Sequence, residues 1–230
     1  MSLLDALFPK YCVNCKRFGA YVCTNCFSQL SFDTQVICLL CGKASIDGLT
    51  HAFCKKKDSI DGVFCAVTYK QTARKLIQAF KYNQYVSDIQ TILIELFYEA
   101  LIQKELFIQN IVPNASALIP IPLTAQRLRQ RGYNQSLLLA NGLSKKLLIP
   151  VLECLIRKKE TKPQVGLHKN ERKTNVKDAF VIKKQYEKNS LDTAFLIDDV
   201  LTTGSTLAEA AKVLKKAGFQ KVWGLTLARD

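Results

Sequence analysis

The stretch AFLIDDVLTTGST, residues 194–206, decides the fold. It begins as a continuous apolar run that ends in two acids, which is typical of a buried strand in a parallel sheet. The turn TTGST follows, and the spacing of apolar residues over 207–216 predicts a helix behind it. A strand, a tight turn and a helix in this order form an anion-binding unit, because the helix presents N–H groups where the strand ends.

The turn has the composition of a phosphate cradle. Gly204 lets the backbone approach a ligand closely, and the neighbouring hydroxyl groups add hydrogen-bond donors. The residues expected to bind the phosphate are Thr202, Thr203, Gly204, Ser205 and Thr206. Asp198 and Asp199 precede the cradle by about the length of one sugar, so their carboxylates can accept hydrogen bonds from ribose hydroxyls and help to hold a hydrated Mg²⁺.

A strand that ends in Asp-Asp is also typical of the Walker B strand of nucleotide triphosphatases. Such a protein needs an earlier G-x-x-x-x-G-K-[ST] loop for its phosphates. None of the ten glycines opens that motif. The ribose phosphate interpretation is therefore favoured.

Strands and helices alternate along the rest of the chain. Segments rich in β-branched and aromatic residues predict strands at 62–69, 117–122 and 221–228. Helical spacing predicts helices over 71–84, 86–108 and 136–148. This alternation predicts an α/β fold, a parallel sheet flanked by helices. The stretch 157–184 carries 10 basic and 3 acidic residues and predicts a mobile loop, long enough to close over the site as a hood.

The N-terminal region predicts metal binding. Nine cysteines in a chain without a secretory signal argue against disulfides. Two C-x-x-C pairs, seven residues apart, would surround one Zn²⁺ with four thiolates, from Cys12, Cys15, Cys23 and Cys26. A second site of three thiolates and one imidazole is expected from Cys38, Cys41, His51 and Cys54. The alternative for the second set is buried thiols beside a loop histidine, whereas Cys65 and Cys154 are predicted to be core residues.

Both metal sites would be closed and therefore structural. A segment this short buries too little surface to fold alone, so metal binding would supply much of its folding free energy. We expect two units: a zinc-binding module over 1–60, with one or two Zn²⁺, and an α/β domain over 61–230.

The chain is strongly basic, with a formal net charge of +14. Residues 1–118 contribute +3 and residues 119–230 contribute +11. Such a charge attracts phosphorylated molecules or nucleic acid, although solubility alone is the alternative. The absence of a signal peptide predicts a cytoplasmic protein. The apolar segment 89–112 is interrupted by charged residues, so no transmembrane segment is expected.

Residues 194–206 resemble the thirteen-residue phosphoribosyl pyrophosphate signature of type I phosphoribosyltransferases: four apolar residues, two acids, an apolar pair, two small hydroxyl residues, glycine, any residue, then serine or threonine. Every position fits. The resemblance implies phosphoribosyl pyrophosphate as the ligand, bound with Mg²⁺. It also implies that a loop after an early strand binds pyrophosphate.

The basic segment QRLRQRGYNQ, residues 126–135, stands where that resemblance implies the pyrophosphate loop. Arginine offers a planar pair of donors that matches phosphate oxygens, so Arg127, Arg129 and Arg131 are the candidate ligands. The alternative for each arginine is a solvated helix start. The Ile119–Pro120 and Ile121–Pro122 bonds are candidates for cis or strained peptides near this loop.

The whole sequence is similar to the ComF family of competence proteins. The resemblance is carried by the C-x-x-C pairs, AFKY at 79–82, IPIP with RxRGYNQ, PQVGL with ER and NV between 163 and 176, the signature, and the terminal LTLAR. It implies a role in natural transformation, as a cytoplasmic handler of incoming single-stranded DNA beside helicase-like and DNA-processing competence proteins. His51 departs from the cysteine that family members often have.

Three functions remain open from the sequence. The first is a phosphoribosyltransferase that acts on an unidentified base or amine, in which Asp198 and Asp199 hold the ribose and the basic segments stabilise the leaving pyrophosphate. The second is ligand binding together with single-stranded DNA binding, with Tyr82, Tyr85 and Tyr133 as stacking platforms; each tyrosine is alternatively a half-buried core residue. The third is a zinc module that serves as an adaptor for protein partners.

Overall fold

The computed structural model describes residues 9–34, 36–82, 86–110, 115–159, 176–184 and 191–230. The N-terminal part holds helix α1 (Thr24–Phe27) and two 3-10 helices, Ile46–Gly48 and Ala52–Cys54. The remaining elements are, in chain order, β1 (Gly62–Thr68), α2 (Gln71–Tyr82), α3 (Val86–Ile102), α4 (Glu105–Asn110), β2 (Ser116–Pro120), α5 (Ala125–Arg131), α6 (Gln135–Leu147), β3 (Leu155–Arg157), β4 (Phe180–Ile182), β5 (Thr193–Leu201), α7 (Ser205–Lys216) and β6 (Lys221–Arg229).

Four strands form one parallel sheet in the order β1-β6-β5-β2. The strand of the signature, β5, is therefore central and is paired on both sides. Each β-α-β crossover returns the chain to the same edge, so all four strands end at one edge of the sheet. The predicted fold class, a parallel sheet flanked by helices, is confirmed.

Both faces of the sheet are buried. On one face, α2, α3 and α6 pack over a core that includes Phe80, Phe97 and Phe195. On the other face, α7 and part of the N-terminal module cover a second core that includes Leu39 and Leu207. Burial on both sides explains why the strands are continuous apolar runs rather than alternating ones.

The helix predicted over 86–108 is divided in two. α3 ends at Ile102 and α4 begins at Glu105, with Lys104 N–H donating to the carbonyl of Leu101 at 3.0 Å. The break directs the ring of Phe107 into the sheet, where it packs edge-on against Phe64 and Phe195. No helix among the described residues combines the length and apolar character needed to cross a membrane.

The basic segment predicted as a loop is helical, and this expectation was wrong. Thr124 caps the start of α5 by accepting a hydrogen bond from Arg127 N–H, and Gly132 ends the helix in the left-handed conformation at φ 78°. Cap residues at both ends thus define a helix of two turns. The two proline bonds that precede it are trans.

The predicted mobile loop over 157–184 begins and ends in ordered structure. β3 and β4 pair antiparallel, with Arg157 opposite Phe180. Residues 160–175 lie outside the described part of the chain, and with them most of the PQVGL, ER and NV segments. The loop prediction is therefore wrong at Arg157, the last residue of β3, and at β4.

Candidate functional site

The phosphate cradle lies at the carboxyl end of β5. Gly204 precedes α7 with φ 72°, a conformation that favours glycine. Thr203 and Ser205 hydroxyl oxygens lie 2.9 Å apart and hydrogen-bond to each other. Gly204 has no side chain to cap the helix, and Ser205 N–H donates to Thr203 Oγ1 at 3.4 Å. The positive end of the α7 dipole lies at this turn. The turn is suited to an anion.

The two acids of β5 have different surroundings. Asp198 is partly buried, and it accepts hydrogen bonds from Ser136 Oγ at 3.3 Å and from Asp199 N–H at 2.9 Å. Burial raises the pKa of Asp198 to about 7, and the charge of Asp199 adds to the effect. Asp199 instead has a cationic partner, with Lys81 Nζ 2.8 Å from its Oδ2. One acid is thus poised to gain or lose a proton near neutral pH, beside an acid held in an ion pair.

Two of the three arginines of α5 lie on one face of the helix, and Arg127 is in electrostatic range of these acids. Burial and the charge of Arg131 lower the pKa of Arg127, while the charges of Asp199 and Asp198 act in the opposite direction. Arg127 therefore lies within electrostatic range of both carboxylates. Arg127 and Arg131 are four residues apart on one face of the helix, whereas Arg129, between them, is exposed on another face.

Of the two described tyrosines considered as stacking platforms, Tyr82 is the exposed one, with 71% of its surface accessible. Its hydroxyl accepts a hydrogen bond from Arg131 Nη2 at 3.2 Å, and the guanidinium lies 5.2 Å from its ring. Tyr133 is half-buried and its hydroxyl donates to the carbonyl of Phe80. Tyr85 lies outside the described residues. An exposed aromatic ring and a cation therefore stand together beside the acid pair.

Sequence reasoning missed two residues of this site. The sequence pattern includes Lys81 only as part of the AFKY segment and Ser136 only as the first residue of a predicted helix. The signal available for Lys81 was its place in the last turn of an amphipathic helix, directly after the buried Phe80. Neither contact follows from local spacing, because 118 residues separate Lys81 from Asp199 and 62 separate Ser136 from Asp198.

The first cysteine cluster has the geometry of a closed zinc site. Its four sulfur atoms lie within 4.8 Å of one another, and those of Cys15 and Cys23 are 3.6 Å apart. A tetrahedral Zn²⁺ with bonds of about 2.3 Å separates its sulfur ligands by about 3.8 Å, so the donor set fits the ion. The structure brings together Cys12, Cys15, Cys23 and Cys26 as predicted.

Backbone groups prepare this cluster for a cation. Burial opposes ionisation of Cys12, but N–H groups of Cys15, Cys23 and Asn14 outweigh it and lower the pKa of Cys12 to about 6. The amide of Asn14 favours the Cys26 thiolate, yet burial and the other cysteines raise the pKa of Cys26 to about 12. Four thiolates repel one another unless a bound cation neutralises them, which is what Zn²⁺ supplies.

The second cluster brings together Cys38, Cys41, His51 and Cys54, again with the donor atoms within 4.8 Å of one another. His51 Nε2 lies 2.9 Å from the carbonyl of Ala44, and its Nδ1 lies 3.4 Å from the sulfur of Cys41. Because a carbonyl only accepts, Nε2 carries the proton and Nδ1 keeps its lone pair toward the thiols. His51 thus occupies the position of a fourth ligand and not that of a loop residue.

The segments that hold the two cysteine clusters, residues 9–34 and 36–56, are called the first and the second ribbon. The second ribbon is attached to the sheet by a buried carboxylate, Asp61. It binds Lys55 Nζ at 2.9 Å, Lys215 Nζ at 2.7 Å and the N–H of Val222 at 2.8 Å. Burial opposes its charge, but the two lysines outweigh burial and lower its pKa. Since Lys55 follows the metal ligand Cys54 and Lys215 lies in the last turn of α7, this contact joins the ribbon to the helix that begins at the phosphate turn.

Comparison with known proteins supports the two metal clusters and identifies the family of the chain. A double zinc ribbon family model matches residues 3–56, which contain all eight candidate metal ligands. Competence protein F of Haemophilus influenzae is 35% identical over 210 residues, covering 90% of this chain and 84% of that protein. Competence protein ComFC of Bacillus subtilis is 28% identical over 230 residues, covering 91% of this chain and 84% of that protein.

A third relative is similar over a shorter stretch of the chain. DNA utilization protein YhgH of Escherichia coli is 36% identical over 111 residues, which cover 47% of this chain and 48% of that protein. The similarity to competence protein F extends over most of both chains and includes the ribbons as well as the sheet. On this similarity, the chain belongs to the ComF family of competence proteins.

Proposed function

We propose that the protein binds phosphoribosyl pyrophosphate with Mg²⁺ at the carboxyl edge of the sheet, and that it handles single-stranded DNA in the cytoplasm during natural transformation. The proposal rests on three features that lie at the carboxyl edge of the sheet. The acid pair of β5, the turn before α7 and the arginine face of α5 meet there, and each suits a different part of the ligand.

The parts of the ligand are assigned by charge. The turn at 202–206 would take the 5-phosphate through backbone N–H groups and hydroxyls. Asp198 and Asp199 would accept hydrogen bonds from the ribose hydroxyls. Arg127 and Arg131 would bind the pyrophosphate, since their planar donor pairs match its oxygens. Mg²⁺ bound with the pyrophosphate would neutralise part of its charge, with the two acids as the nearest carboxylates.

The ionisation of Asp198 should make ligand affinity depend on pH. Asp198 accepts hydrogen bonds from a sugar with both oxygens only when it is ionised. Because its pKa is about 7 in the ligand-free protein, affinity for phosphoribosyl pyrophosphate should rise from pH 6 to pH 8. Affinity should level off above pH 8.

Calorimetric titration with phosphoribosyl pyrophosphate and Mg²⁺ at pH 8 tests the site. The double variant Asp198→Ala with Asp199→Ala should lose binding, and Arg127→Ala should weaken it about tenfold or more. Arg129→Ala is the matched control, because it removes the same charge from the exposed face of the same helix. Wild-type affinity in the double variant would refute the proposed site.

The DNA-binding half of the proposal rests on charge and on one aromatic platform. Residues 119–230 carry a formal charge of +11, and Tyr82 stands exposed beside Arg131. A ring and a cation together bind single strands by stacking and phosphate contact. The printed names of the relatives, competence proteins and DNA utilization proteins, point the same way, and helicase-like and DNA-processing competence proteins are the proposed partners.

Fluorescence anisotropy with a labelled single strand, repeated over a salt series, tests this half. Affinity should fall steeply with salt, because each phosphate contact releases a counterion. Tyr82→Ala should cost about 1–3 kcal/mol of binding free energy, and Tyr98→Ala is a control tyrosine packed against the core. A flat salt response would count against DNA binding.

The intact acid pair favours a second candidate, transfer of the ribosyl group. In that reaction the bond between the anomeric carbon and pyrophosphate breaks, and a nitrogen of the acceptor bonds to that carbon. The positive charge that develops on the ribose would be stabilised by the carboxylates. Release of pyrophosphate with a panel of bases and amines tests it, and release that depends on one acceptor and is lost in Asp199→Asn would establish turnover.

A further inference from the structure

The turn proposed to bind phosphate is covered by a side chain from the second zinc ribbon. At Gly204, a Cβ atom would lie 2.5 Å from Cγ of Leu39, 2.7 Å from its Cδ1 and 2.9 Å from its Cδ2. The isobutyl group of Leu39 therefore occupies the space into which a side chain at position 204 would project. Because this space is filled, the turn has little room to move on that side.

The position of Leu39 is set by the metal knuckle. It lies between Cys38 and Cys41, two ligand positions of the second cluster. Cys38 N–H donates to the carbonyl of Lys43 at 2.9 Å, and Gly42 N–H donates to the carbonyl of Cys38 at 2.8 Å. A metal bound by both sulfurs would fix the backbone on either side of the leucine.

Leu39 also packs with the two leucines that bracket the turn. It is 7% exposed and shares a buried cluster with Leu201, the last residue of β5, and Leu207, in the first turn of α7. The three side chains therefore tie the knuckle to both ends of the segment 202–206.

We infer that the second zinc ribbon is a positioning element of the phosphate-binding turn. The knuckle holds Leu39 against Gly204, and this contact keeps the turn in the shape that receives the anion. The inference rests on the proposed function, since it concerns the same turn. Leu39 would then contribute to ligand affinity, in addition to the stability that a buried leucine provides.

The first ribbon supplies a matched control. Leu30 follows the first cluster in the chain and is also 7% exposed, but it belongs to the core on the opposite face of the sheet. Truncation of either leucine to alanine removes the same atoms from equally buried positions, and each should cost stability. Only Leu39→Ala should change the turn.

Titration of the full chain with phosphoribosyl pyrophosphate and Mg²⁺ tests the inference, with zinc content measured in parallel. Leu39→Ala should raise the Kd about tenfold with its zinc content unchanged, and Leu39→Met, which keeps the volume, should restore affinity. Leu30→Ala should stay within twofold of wild type. Amide hydrogen exchange of residues 203–206 should become several-fold faster in Leu39→Ala and not in Leu30→Ala.

Metal removal from one ribbon at a time gives a second readout. Cys54→Ser should lose one zinc and weaken binding, whereas Cys15→Ser should lose one zinc and keep its affinity within twofold. Equal affinities and equal exchange in Leu39→Ala and Leu30→Ala would overturn the inference alone. Failure of the wild-type protein to bind the ligand would overturn the proposed function and this inference with it.

Discussion

Two aspartates at opposite edges of the same sheet have different partners, and their pKa values are shifted in opposite directions. Asp61, at the amino edge, accepts hydrogen bonds from two lysines and a backbone N–H, and its pKa is lowered. Asp198, toward the carboxyl edge, is partly buried beside another acid, and its pKa is raised to about 7. Helix α7 runs between the two edges, from the phosphate turn to Lys215.

The difference separates a group that stabilises the fold from one that costs stability. The charge of Asp61 is fully partnered, so its burial is offset by its ion pairs. The charge of Asp198 has a hydroxyl, a single N–H and a distant lysine, so ionisation is unfavourable in the folded protein. A carboxylate whose ionisation is unfavourable, and which lies in electrostatic range of Arg127, is typical of a ligand-binding site.

The largest effect is expected from Asp61→Ala. The substitution leaves Lys215 buried without its partner and removes the acceptor of Val222 N–H, so the free energy of unfolding should fall by about 3–5 kcal/mol. Urea denaturation at pH 7 measures it. A loss below about 1 kcal/mol would mean that Asp61 does not anchor the ribbon to α7.

The same residue predicts how stability responds to acid. Because the folded pKa of Asp61 is below its unfolded value, its contribution is fully present above about pH 4, the ordinary aspartate range, and is lost as pH falls through the folded pKa. The acid limb of the stability curve should therefore flatten in Asp61→Asn. An unchanged acid limb would show that other carboxylates dominate it.

Asp198→Asn should have the opposite sign. The folded pKa of Asp198 exceeds the unfolded value, so the native state loses stability as pH rises from about 4 to about 7 and carries the full cost above that. Removing the charge should raise the free energy of unfolding by about 1–3 kcal/mol at pH 8 and change it little at pH 4. A variant less stable than wild type at pH 8 would contradict this account of the site.

Lys81→Met should have a smaller effect of a different kind. The charge of Lys81 favours ionised Asp198 and pairs with Asp199, so its loss should shift the midpoint of the affinity profile toward higher pH. Stability at pH 8 should fall by about 1 kcal/mol. Titration with phosphoribosyl pyrophosphate between pH 6 and pH 9 measures the midpoint. An unchanged midpoint would show that Lys81 does not influence the ionisation of the acid pair.

The smallest effect is expected at the first ribbon. Lys10 Nζ lies 3.1 Å from Asp88 Oδ2, but the two side chains are 39% and 46% exposed. An exposed pair contributes about 0–1 kcal/mol, and less in high salt. Lys10→Ala should thus be within about 0.5 kcal/mol of wild type in urea denaturation, and a loss comparable to that of Asp61→Ala would contradict the distinction between the two attachments.

The sequence alone was sufficient for what depends on local pattern. Strand β5 and the helix behind it were predicted to within a residue or two, because apolar runs, a glycine turn and helical spacing are read within a dozen residues. Both cysteine sets were predicted from the spacing of their pairs, and the structure brings each set together. The signature also indicated which edge of the sheet to examine.

What the sequence did not reveal depends on distant contacts or on single cap residues. The helix of the arginine segment rests on caps at Thr124 and Gly132, which a basic composition obscured. The break at Lys104 allows Phe107 to pack in the core. The partners of Asp61, Asp199 and Gly204 come from parts of the chain that no periodicity connects, so Lys81, Lys215 and Leu39 could be assigned only from the fold.

Thermal unfolding at pH 8, with and without phosphoribosyl pyrophosphate and Mg²⁺, tests most directly whether the carboxyl edge binds this ligand at the expense of stability. Asp198→Asn should melt roughly 2–8 °C above wild type without ligand. Wild type should gain several degrees when the ligand is added, and the variant should gain much less. A variant that melts below wild type yet gains as much from the ligand would contradict the account.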